Sequence, residues 1–380
     1  MELEEFLKDK GLEYAPFDST RALRLFKALN LSIFAKIINI IGTNGKGSTG
    51  RFLAQMLRSK GLNVAHFTSP HLLSVNERFW QNGENLSLEI LNRNFLELDR
   101  EILKEASYFE TLTFLAFKVF KNCDYLILEA GVGGEFDSTI TCKNGDLALF
   151  TSISLDHQDM LGESLEEIAT TKLNAMHKEA ILGINPQEIQ AIAKQIAIKK
   201  GTHLEILEEI PQEIKKYCEK MHYPKYQEEN LSLAYFVFKK LGFTCDLAEL
   251  PRMSLQGRMQ KLKENIWLDV AHNVGGARKI LEEFRENFSK RKLNLIYNSY
   301  LDKNPKEILK ILKPILKEIQ IFKVNNPRII DQSQLEKILN ELEINFSDFK
   351  EIKQDEIYLV CGSFSVVSEF LVYLQREAKK

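Results

Sequence analysis

The sequence predicts a two-domain α/β protein, with a large domain over residues 1–256 and a smaller one over residues 257–380. Short apolar runs, typical of buried parallel strands, alternate along the chain with segments of helical periodicity. Several of these runs end in glycine-rich or polar turns before a helix begins, as strands of a parallel sheet do. The chain of 380 residues also exceeds what one ordinary hydrophobic core accommodates.

The large domain opens with a strand–helix–strand unit. Residues 37–41 form a nearly continuous apolar run, and a glycine-rich turn separates them from a segment of helical spacing at residues 52–57. A second strand is predicted at residues 62–67. The same patterns predict helices at residues 114–120, 165–177, 187–199 and 230–241 and strands at residues 125–128 and 147–153.

A polar stretch at residues 251–263 marks the change of domain. Beyond it, apolar runs again alternate with amphipathic segments. The patterns predict strands at residues 266–268, 293–297, 319–324 and 357–360 and helices at residues 306–317 and 334–342. We therefore expect a smaller, Rossmann-like α/β domain at the C-terminal end.

The bulk composition excludes several classes of protein. Lys and Arg number 51 against 53 Asp and Glu, a balance that argues against binding to nucleic acid or to an anionic membrane. No apolar stretch approaches the ~20 residues that span a bilayer, and the acidic N-terminus lacks the features of a signal peptide. The five cysteines are Cys123, Cys142, Cys218, Cys245 and Cys361. Because they are scattered and none form a C-x-x-C pair, we expect reduced thiols and a cytoplasmic location. We also expect a monomer.

The strongest local feature is the sequence GTNGKGST at residues 42–49, between a predicted strand and a predicted helix. A turn of this kind directs backbone N–H groups at an anion, and the helix adds the positive end of its dipole. Lys46 would meet the β- and γ-phosphates of a nucleotide, and Ser48 or Thr49 would face Mg²⁺. An isoleucine stands at the first glycine of the common P-loop pattern, and an extra glycine follows the lysine. The flanking strand and helix favour a P-loop-type nucleotide site over a merely flexible turn.

Further candidates follow other predicted strands of the large domain. Ser69, Glu129 and His157 each lie just beyond such a strand, so we expect them at the same edge of the sheet as the glycine-rich turn. Carboxylate and hydroxyl oxygens are Mg²⁺ ligands, and a neutral imidazole can complete the shell. The glycines within residues 130–134 allow the backbone to approach a ligand closely. Lys172, in a predicted helix, is from composition alone a solvated surface lysine.

In the small domain, polar groups again follow predicted strands. The sequence DVAHN at residues 269–273 lies between a strand and a helix that begins near Gly275, and CGSF occupies residues 361–364. Taken separately, each is consistent with an ordinary turn.

In their order along the chain, these segments resemble the Mur ligase superfamily, and within it the family of folylpolyglutamate synthase and dihydrofolate synthase. The motifs that carry the resemblance are GTNGKGS at 42–48, TSPHL at 68–72, EAGVGG at 129–134, TSISLDH at 151–157, GR at 257–258, DVAHN at 269–273 and CGSF at 361–364. Several of these motifs are individually loose, but their joint order extends over most of the chain.

The resemblance implies an ATP-dependent ligase that joins the amine of L-glutamate to the carboxylate of dihydropteroate or a folate through an acyl phosphate. It implies ATP and one or two Mg²⁺ ions, with these small molecules as the only partners. Because residues 109–113 retain the family's pterin-binding region, we expect both dihydrofolate synthase and folylpolyglutamate synthase activity.

The resemblance also implies roles for individual residues. It places the ATP contacts at Asn44, Gly45, Lys46, Gly47, Ser48, Asn230, Arg258 and Asp269. It places the metal ligands at Ser69, Glu129 and His157. The pterin site falls on Phe109, Glu110, Thr111, Thr113 and Phe136, and the glutamate site on His272 and Ser363. Lys46, His157 and Lys172 fall on catalytic positions, the last on a lysine that the family commonly carbamylates.

Some positions depart from the family pattern. Lys172 lies in TKLNA where the family usually has EKAGI, so the sequence leaves its carbamylation open. A His-Gln pair often precedes Asn230, and here residues 226–230 read YQEEN. Gln256 replaces a proline, and Glu135 replaces an arginine near the expected pterin site, a change of charge that would alter the choice of substrate.

Three alternatives remain at this point. The first is folylpolyglutamate synthase activity alone. The second is a cell-wall Mur ligase, against which stand TSPHL at residues 68–72 and the absence of a nucleotide-sugar domain of ~100 residues. The third is a non-catalytic nucleotide-binding relative, which the unusual surroundings of Lys172 favour and the joint presence of Lys46, Glu129, His157 and Asp269 disfavours.

Overall fold

The computed structural model describes residues 2–10, 18–141, 145–287 and 291–378. The chain divides into two compact units. Unit 1 comprises Met1–His222 and Gln227–Ser254, and unit 2 comprises Tyr223–Tyr226 and Leu255–Lys380. The domain boundary predicted after residue 256 falls close to the end of unit 1. Cys142, one of the cysteines expected to be reduced, lies outside the described residues.

In its described part, unit 1 holds one sheet of eight strands. The strands are β1 (Lys36–Ile41), β2 (Val64–Phe67), β3 (Phe79–Gln81), β4 (Glu84–Asn85), β5 (Tyr125–Glu129), β6 (Gly145–Phe150), β7 (Glu179–Leu182) and β8 (His203–Ile206). The helices are α1 (Leu3–Asp9), α2 (Arg21–Leu29), α3 (Lys46–Arg58), α4 (Leu88–Leu96), α5 (Arg100–Glu105), α6 (Tyr108–Val119), α7 (Gln158–Leu161), α8 (Leu165–Leu173), α9 (Gln187–Lys200), α10 (Gln212–Lys220) and α11 (Tyr226–Lys240).

The strand order in unit 1 is β4-β3-β2-β5-β1-β6-β7-β8. Strands β2, β5, β1, β6, β7 and β8, which are neighbours in this order, pair in parallel. Strands β3 and β4 extend the sheet beyond β2 in antiparallel pairing. Strand β1 lies in the middle, with Ile40 opposite Glu129 on β5 and Ile41 opposite Phe150 on β6. The carboxyl ends of β2, β5, β1 and β6 therefore lie next to one another at one edge, where open α/β sheets bind ligands.

Buried side chains on the sheet explain why these segments are strands. All residues of β1 after Lys36, and all of β5, are buried, as expected for strands covered by helices on both faces. One hydrophobic cluster packs α4 and α6 with β2 and β5, including Phe95, Phe114 and Leu126. A second packs α8 and α9 with β6 and β7, including Phe150.

Helix ends in unit 1 follow local sequence signals. A capping box begins α6, in which the hydroxyl of Ser107 accepts from the N–H of Glu110 and the Glu110 carboxylate accepts in return. Ser164 and Glu167 form the same box at α8. Helix α9 ends at Gly201, whose φ of +64° suits a glycine.

Unit 2 contains a six-stranded sheet in the order β13-β12-β11-β14-β10-β9, parallel except for the β9–β10 pair, within the described residues. The strands are β9 (Gln260–Lys263), β10 (Ile266–Leu268), β11 (Leu293–Tyr297), β12 (Leu316–Ile321), β13 (Phe346–Asp348) and β14 (Tyr358–Cys361). The helices are α12 (Val274–Asn287), α13 (Pro305–Leu312), α14 (Gln332–Glu341) and α15 (Phe364–Glu377). Leu295, Leu309 and Leu359 contribute to its core.

The predicted α/β class, with two mostly parallel sheets, is confirmed. The helix predicted at residues 306–317 is wrong at its end, because α13 stops at Leu312 and β12 begins at Leu316. Pro314 explains the stop, since a proline cannot donate the backbone hydrogen bond of a continuing helix. The strand predicted to reach residue 324 ends at Ile321. In the part of the chain described, no helix is long and apolar enough to cross a membrane.

Candidate active site

The glycine-rich turn lies between β1 and α3, at the centre of the sheet edge. Gly45 caps α3 with a φ of +89°. A Cβ at this position would lie 2.1 Å from Oδ1 of Asn230, on α11. Both the backbone conformation and the approach of Asn230 therefore require glycine here.

Contacts with the segment after β6 fix the shape of the turn. The N–H of Thr43 donates to the carbonyl oxygen of Ser152 at 2.8 Å. The Thr43 hydroxyl donates to the carbonyl of Ser154 and accepts from the Ser154 N–H, both at 3.0 Å. Asn44 adds an antiparallel bridge to Ser152. The turn is thus held in place by the protein itself, as preorganised anion sites require.

Lys46 begins α3 and folds back over the turn. Its Nζ donates to the carbonyl oxygens of Gly42 at 3.1 Å and Thr43 at 3.3 Å. The ammonium group and the positive end of the α3 dipole therefore lie on the same side of the turn. This is the arrangement expected of a phosphate-binding site.

Gln227, which the sequence reasoning did not single out, connects α11 to the first turn of α3. It is fully buried, donates to the Ser48 hydroxyl at 3.3 Å and accepts from Nδ2 of Asn230 at 2.9 Å. Asn230 and Ser48, both predicted ATP contacts, are held by this one side chain. The signal was the segment YQEEN at residues 226–230, in which a glutamine precedes the predicted Asn230 by three residues.

Glu129 ends β5 and is only 4% exposed. Its Oε2 accepts from the hydroxyl of Thr68 and, at 3.0 Å, from the N–H of Ser69. The carboxyl ends of β2 and β5 are therefore linked, and Ser69 is held beside Glu129. Thr68 was also missed, although it precedes the predicted Ser69 in the motif TSPHL.

These residues fit a divalent cation. Among the described residues, Glu129 makes no salt bridge with a lysine or arginine, and no donor bonds its Oε1. A buried carboxylate is costly without a compensating charge in direct contact. Arg51 interacts electrostatically with Glu129 but forms no salt bridge with it, and a bound cation would supply the direct contact. The donors at this edge are a carboxylate, the Ser69 hydroxyl and the His157 imidazole, a set that hard divalent cations accept.

His157 follows β6 at the same edge of the sheet. Its φ of +50° is left-handed, and its N–H donates to Oδ1 of Asp156 at 2.9 Å. It precedes the short helix α7, so Asp156 shapes the turn that carries the imidazole. Strand β6 pairs with β1 on the side opposite β5, so His157 and Glu129 follow strands on either side of the glycine-rich turn.

Lys172 on α8 is 1% exposed, so the surface lysine suggested by composition alone is wrong. Its Nζ donates to the carbonyl of Val132 at 2.7 Å, in the glycine-rich loop that follows Glu129. Gly133, with a φ of +93°, lies next to this lysine, and a Cβ there would be 3.1 Å from Nζ. The lysine therefore packs against the loop that leaves the candidate metal site.

A buried arginine lies behind the turn on α3. Arg51 donates to the Ser254 hydroxyl at 2.7 Å and to Nδ1 of His66 at 3.3 Å. Burial lowers the pKa of Arg51 to about 9, and the negative charge of Glu129 opposes this change. Burial, aided by the charge of Arg51, also holds the pKa of His66 well below its ordinary value. His66 is therefore a neutral core residue near neutral pH.

Three of the predicted pterin residues use their polar groups inside unit 1. Glu110 accepts from the N–H of Ser107 and from Nε of Arg21 at 2.8 Å. Thr111 and Thr113 are buried, and each hydroxyl donates to the carbonyl four residues earlier on α6. These contacts stabilise the start of α6.

The other two predicted pterin residues are aromatic. The Phe109 ring packs on the glycine-rich loop, where a Cβ on Gly131 would lie 2.8 Å from it. Phe136 is 47% exposed on the same loop, next to the exposed Glu135. The loop thus carries apolar surface suited to a flat ring.

In unit 2, Asp269 follows β10 and is buried. Its carboxylate accepts from the N–H groups of Met259 and Ala271 and from the hydroxyl of Tyr226, each at 2.8 Å. Burial raises the pKa of Asp269, and the charge of Arg258 opposes this increase. Tyr226 was not predicted, and burial together with the charge of Asp269 raises its pKa well above the ordinary value.

Phe364 brings two predicted residues to the same edge of unit 2. The Arg258 guanidinium lies 5.4 Å from the centre of its ring, and the His272 ring lies 5.9 Å away. Ser363 is buried, and its hydroxyl accepts from the N–H of Val366 as the cap of α15. Ser363 therefore shapes the start of the helix, and the carboxyl ends of β10 and β14 form the candidate binding face.

Comparison with known proteins places this geometry in a family. Residues 40–240 match the family described as the Mur ligase middle domain. A crystal structure of Helicobacter pylori folylpolyglutamate synthetase is 37% identical, covers 98% of both chains and superposes with a TM-score of 0.81.

Two further proteins extend the comparison. The dihydrofolate synthase/folylpolyglutamate synthase of Buchnera aphidicola is 29% identical over 378 residues, covering 90% of this chain and 88% of that protein. A Yersinia pestis bifunctional folylpolyglutamate synthase/dihydrofolate synthase, crystallised with AMPPNP and a manganese ion, is 27% identical. It covers 99% of this chain and 98% of its own, with a TM-score of 0.83.

Proposed function

Because the chain belongs to the Mur ligase family, in its branch of dihydrofolate synthases and folylpolyglutamate synthases, we propose that it ligates L-glutamate to dihydropteroate and to a folate. The enzyme is an ATP-dependent ligase that uses a divalent cation. One observation carries the proposal for this chain: the turn with Lys46 and the buried carboxylate of Glu129 lie at the ends of paired strands, β1 and β5.

The chemistry requires two transfers. A carboxylate oxygen of the acceptor attacks the γ-phosphorus of ATP, an O–P bond forms and ADP leaves. The glutamate amine then attacks the acyl carbon of the resulting acyl phosphate, loses a proton and expels inorganic phosphate. Both steps build negative charge on oxygens, so positioning and charge neutralisation contribute most of the catalysis.

The residues of the turn supply part of that charge. Lys46 would exchange its bonds to the Gly42 and Thr43 carbonyls for bonds to the phosphates. Gln227 would keep Ser48 and Asn230 in place while the nucleotide binds. Magnesium, held by Glu129, Ser69 and His157, would neutralise charge on the phosphate oxygens.

The roles of the acceptor and glutamate residues remain part of the proposal. Phe109 and Phe136 would contact the pterin ring, while Glu110, Thr111 and Thr113 would support the helix beneath it. His272 would contact glutamate, with Ser363 shaping that face as a helix cap. Lys172 would stabilise the loop after Glu129, whether or not it is carbamylated.

Folylpolyglutamate synthase activity alone is the second candidate. The Helicobacter pylori structure is described by that activity only. The use of Glu110, Thr111 and Thr113 within α6 also leaves fewer polar groups for a pterin. Both activities remain the favoured proposal because relatives such as that of Buchnera aphidicola are described as bifunctional.

The test measures ADP release with L-glutamate and either dihydropteroate or tetrahydrofolate as acceptor. We expect glutamate-dependent ADP release with both acceptors and none in a Lys46→Ala variant. Release with tetrahydrofolate alone would establish the second candidate. Release with neither acceptor would overturn the proposal and favour a cell-wall type ligase or a non-catalytic nucleotide-binding protein.

Several finer points belong to the proposal. Mg²⁺ is the expected ion because the donor set is rich in oxygen. A cytoplasmic location is supported by the free thiols of the described cysteines Cys123, Cys218, Cys245 and Cys361. We also propose a monomer with no partner beyond its small-molecule substrates.

A further inference from the structure

Thr68 connects β2 to the candidate metal site. Strands β2 and β5 are paired, with Phe67 opposite Leu128, so the residues that follow them lie side by side. Thr68 is 5% exposed and Glu129 is 4% exposed. A hydroxyl–carboxylate hydrogen bond joins them in a place where water has little access. Hydrogen bonds to an ionised group are strong under these conditions.

The two oxygens of Glu129 have different surroundings. Oε2 accepts both the Thr68 hydroxyl and the Ser69 N–H. Among the residues that the structure describes, none donates a hydrogen bond to Oε1. Two donors on one oxygen fix the rotation of the carboxylate and leave the other oxygen available to a cation.

The position of Thr68 is itself fixed. Its N–H donates to the carbonyl of Arg78 at 3.0 Å, which continues the pairing of β2 with β3. The loop between them is held by Glu77, whose carboxylate accepts the N–H groups of Leu72, Leu73 and Ser74. The hydroxyl of Thr68 is therefore held by an ordered backbone.

We propose that Thr68 is a positioning residue that turns Glu129 so that Oε1 alone binds the divalent cation. The inference deepens the proposed function and rests on Glu129 as a ligand of that cation. Partners of this kind, which orient a ligand without touching the metal, commonly change metal affinity by about 10- to 100-fold.

The test measures Mn²⁺ binding with AMPPNP, by electron paramagnetic resonance of the free ion, in wild type and in Thr68→Val, Thr68→Ser and Glu129→Gln. No turnover is needed. We expect Thr68→Val to raise the Kd for Mn²⁺ about tenfold, and Thr68→Ser, which keeps the hydroxyl, to bind as wild type does. Thr202→Val removes a hydroxyl that donates to the His177 carbonyl and serves as the matched control.

The outcomes separate the inference from the proposed function. Wild-type Mn²⁺ affinity in Thr68→Val, together with weakened binding in Glu129→Gln, would overturn the role of Thr68. Unchanged binding in Glu129→Gln would instead overturn the metal site itself. If Thr68→Val fails to fold by circular dichroism, the comparison of Thr68→Ser with Thr68→Ala decides: equal, wild-type affinity in both would also overturn the inference.

Discussion

Replacing Gly45 by alanine perturbs the nucleotide turn at two levels. The φ of +89° disfavours any side chain, at a cost of about 1–2 kcal/mol. The new Cβ would lie 2.1 Å from Oδ1 of Asn230, so that amide must withdraw by roughly 1.5 Å to reach ordinary contact. Its 2.9 Å hydrogen bond to Gln227 would then weaken, which costs about 1 kcal/mol.

The expected result is a loss of about 2–3 kcal/mol in the free energy of unfolding of unit 1. The Kd for ADP should rise at least about tenfold, which corresponds to about 1.4 kcal/mol, because Lys46 follows directly. Urea unfolding measures the first quantity and isothermal titration calorimetry the second.

Gly61→Ala is the matched control, since Gly61 has a φ of +78° but nothing lies within 4 Å of its added Cβ. It should show the backbone cost alone, about 1–2 kcal/mol, with wild-type ADP affinity. Equal effects of the two substitutions on stability and on ADP binding would refute the role of the Asn230 contact.

Three further predictions follow from buried groups. Below about pH 6.5, His66 is protonated in the unfolded chain but stays neutral where it is buried in the folded protein. The free energy of unfolding should therefore fall by up to about 1.4 kcal/mol for each unit by which the pH is lowered. In a His66→Asn variant, the free energy of unfolding measured in urea should depend less steeply on pH, because this contribution is absent. Lys172→Met should lower kcat roughly tenfold, since the Val132 carbonyl loses its buried donor, while the ADP Kd measured by calorimetry stays near wild type. Tyr226→Phe should destabilise unit 2 by about 1.5–3 kcal/mol at neutral pH, because it removes the hydrogen bond to the Asp269 carboxylate. Thermal unfolding should show a smaller loss at acid pH, where Asp269 becomes protonated.

Contrary results would be equally specific. An unchanged slope in His66→Asn would mean that another group controls acid stability. A selective rise in the ADP Kd of Lys172→Met would place that lysine at the nucleotide. If the destabilisation caused by Tyr226→Phe became larger at acid pH, the acceptor of the Tyr226 hydrogen bond would not be an ionised Asp269.

The parts of the fold that could be predicted are those with purely local signals. Strands β1, β5 and β6 each contain a nearly continuous apolar run because both of their faces are covered. Strand β8, with no fully buried residue, and the short edge strands β3 and β4 lack such a run and were missed. The end of α13 was misplaced although Pro314 marks it.

The candidate site shows the same division. The turn at residues 42–49 is contiguous in sequence, so its motif could be read directly. Gln227 and Thr68 could not be assigned partners, because they bond residues 179 and 61 positions away. The role of Glu110 could have been predicted locally, because Ser107 and Glu110 have the spacing of a capping box at the start of a helix.

The most direct test of the central claim follows oxygen from the acceptor. Dihydropteroate or tetrahydrofolate labelled with ¹⁸O in the carboxylate would be incubated with ATP, Mg²⁺ and L-glutamate, and the products examined by mass spectrometry. An acyl phosphate formed at the Lys46 turn predicts one ¹⁸O in inorganic phosphate for each amide made. Label in AMP, or phosphate without label, would contradict it.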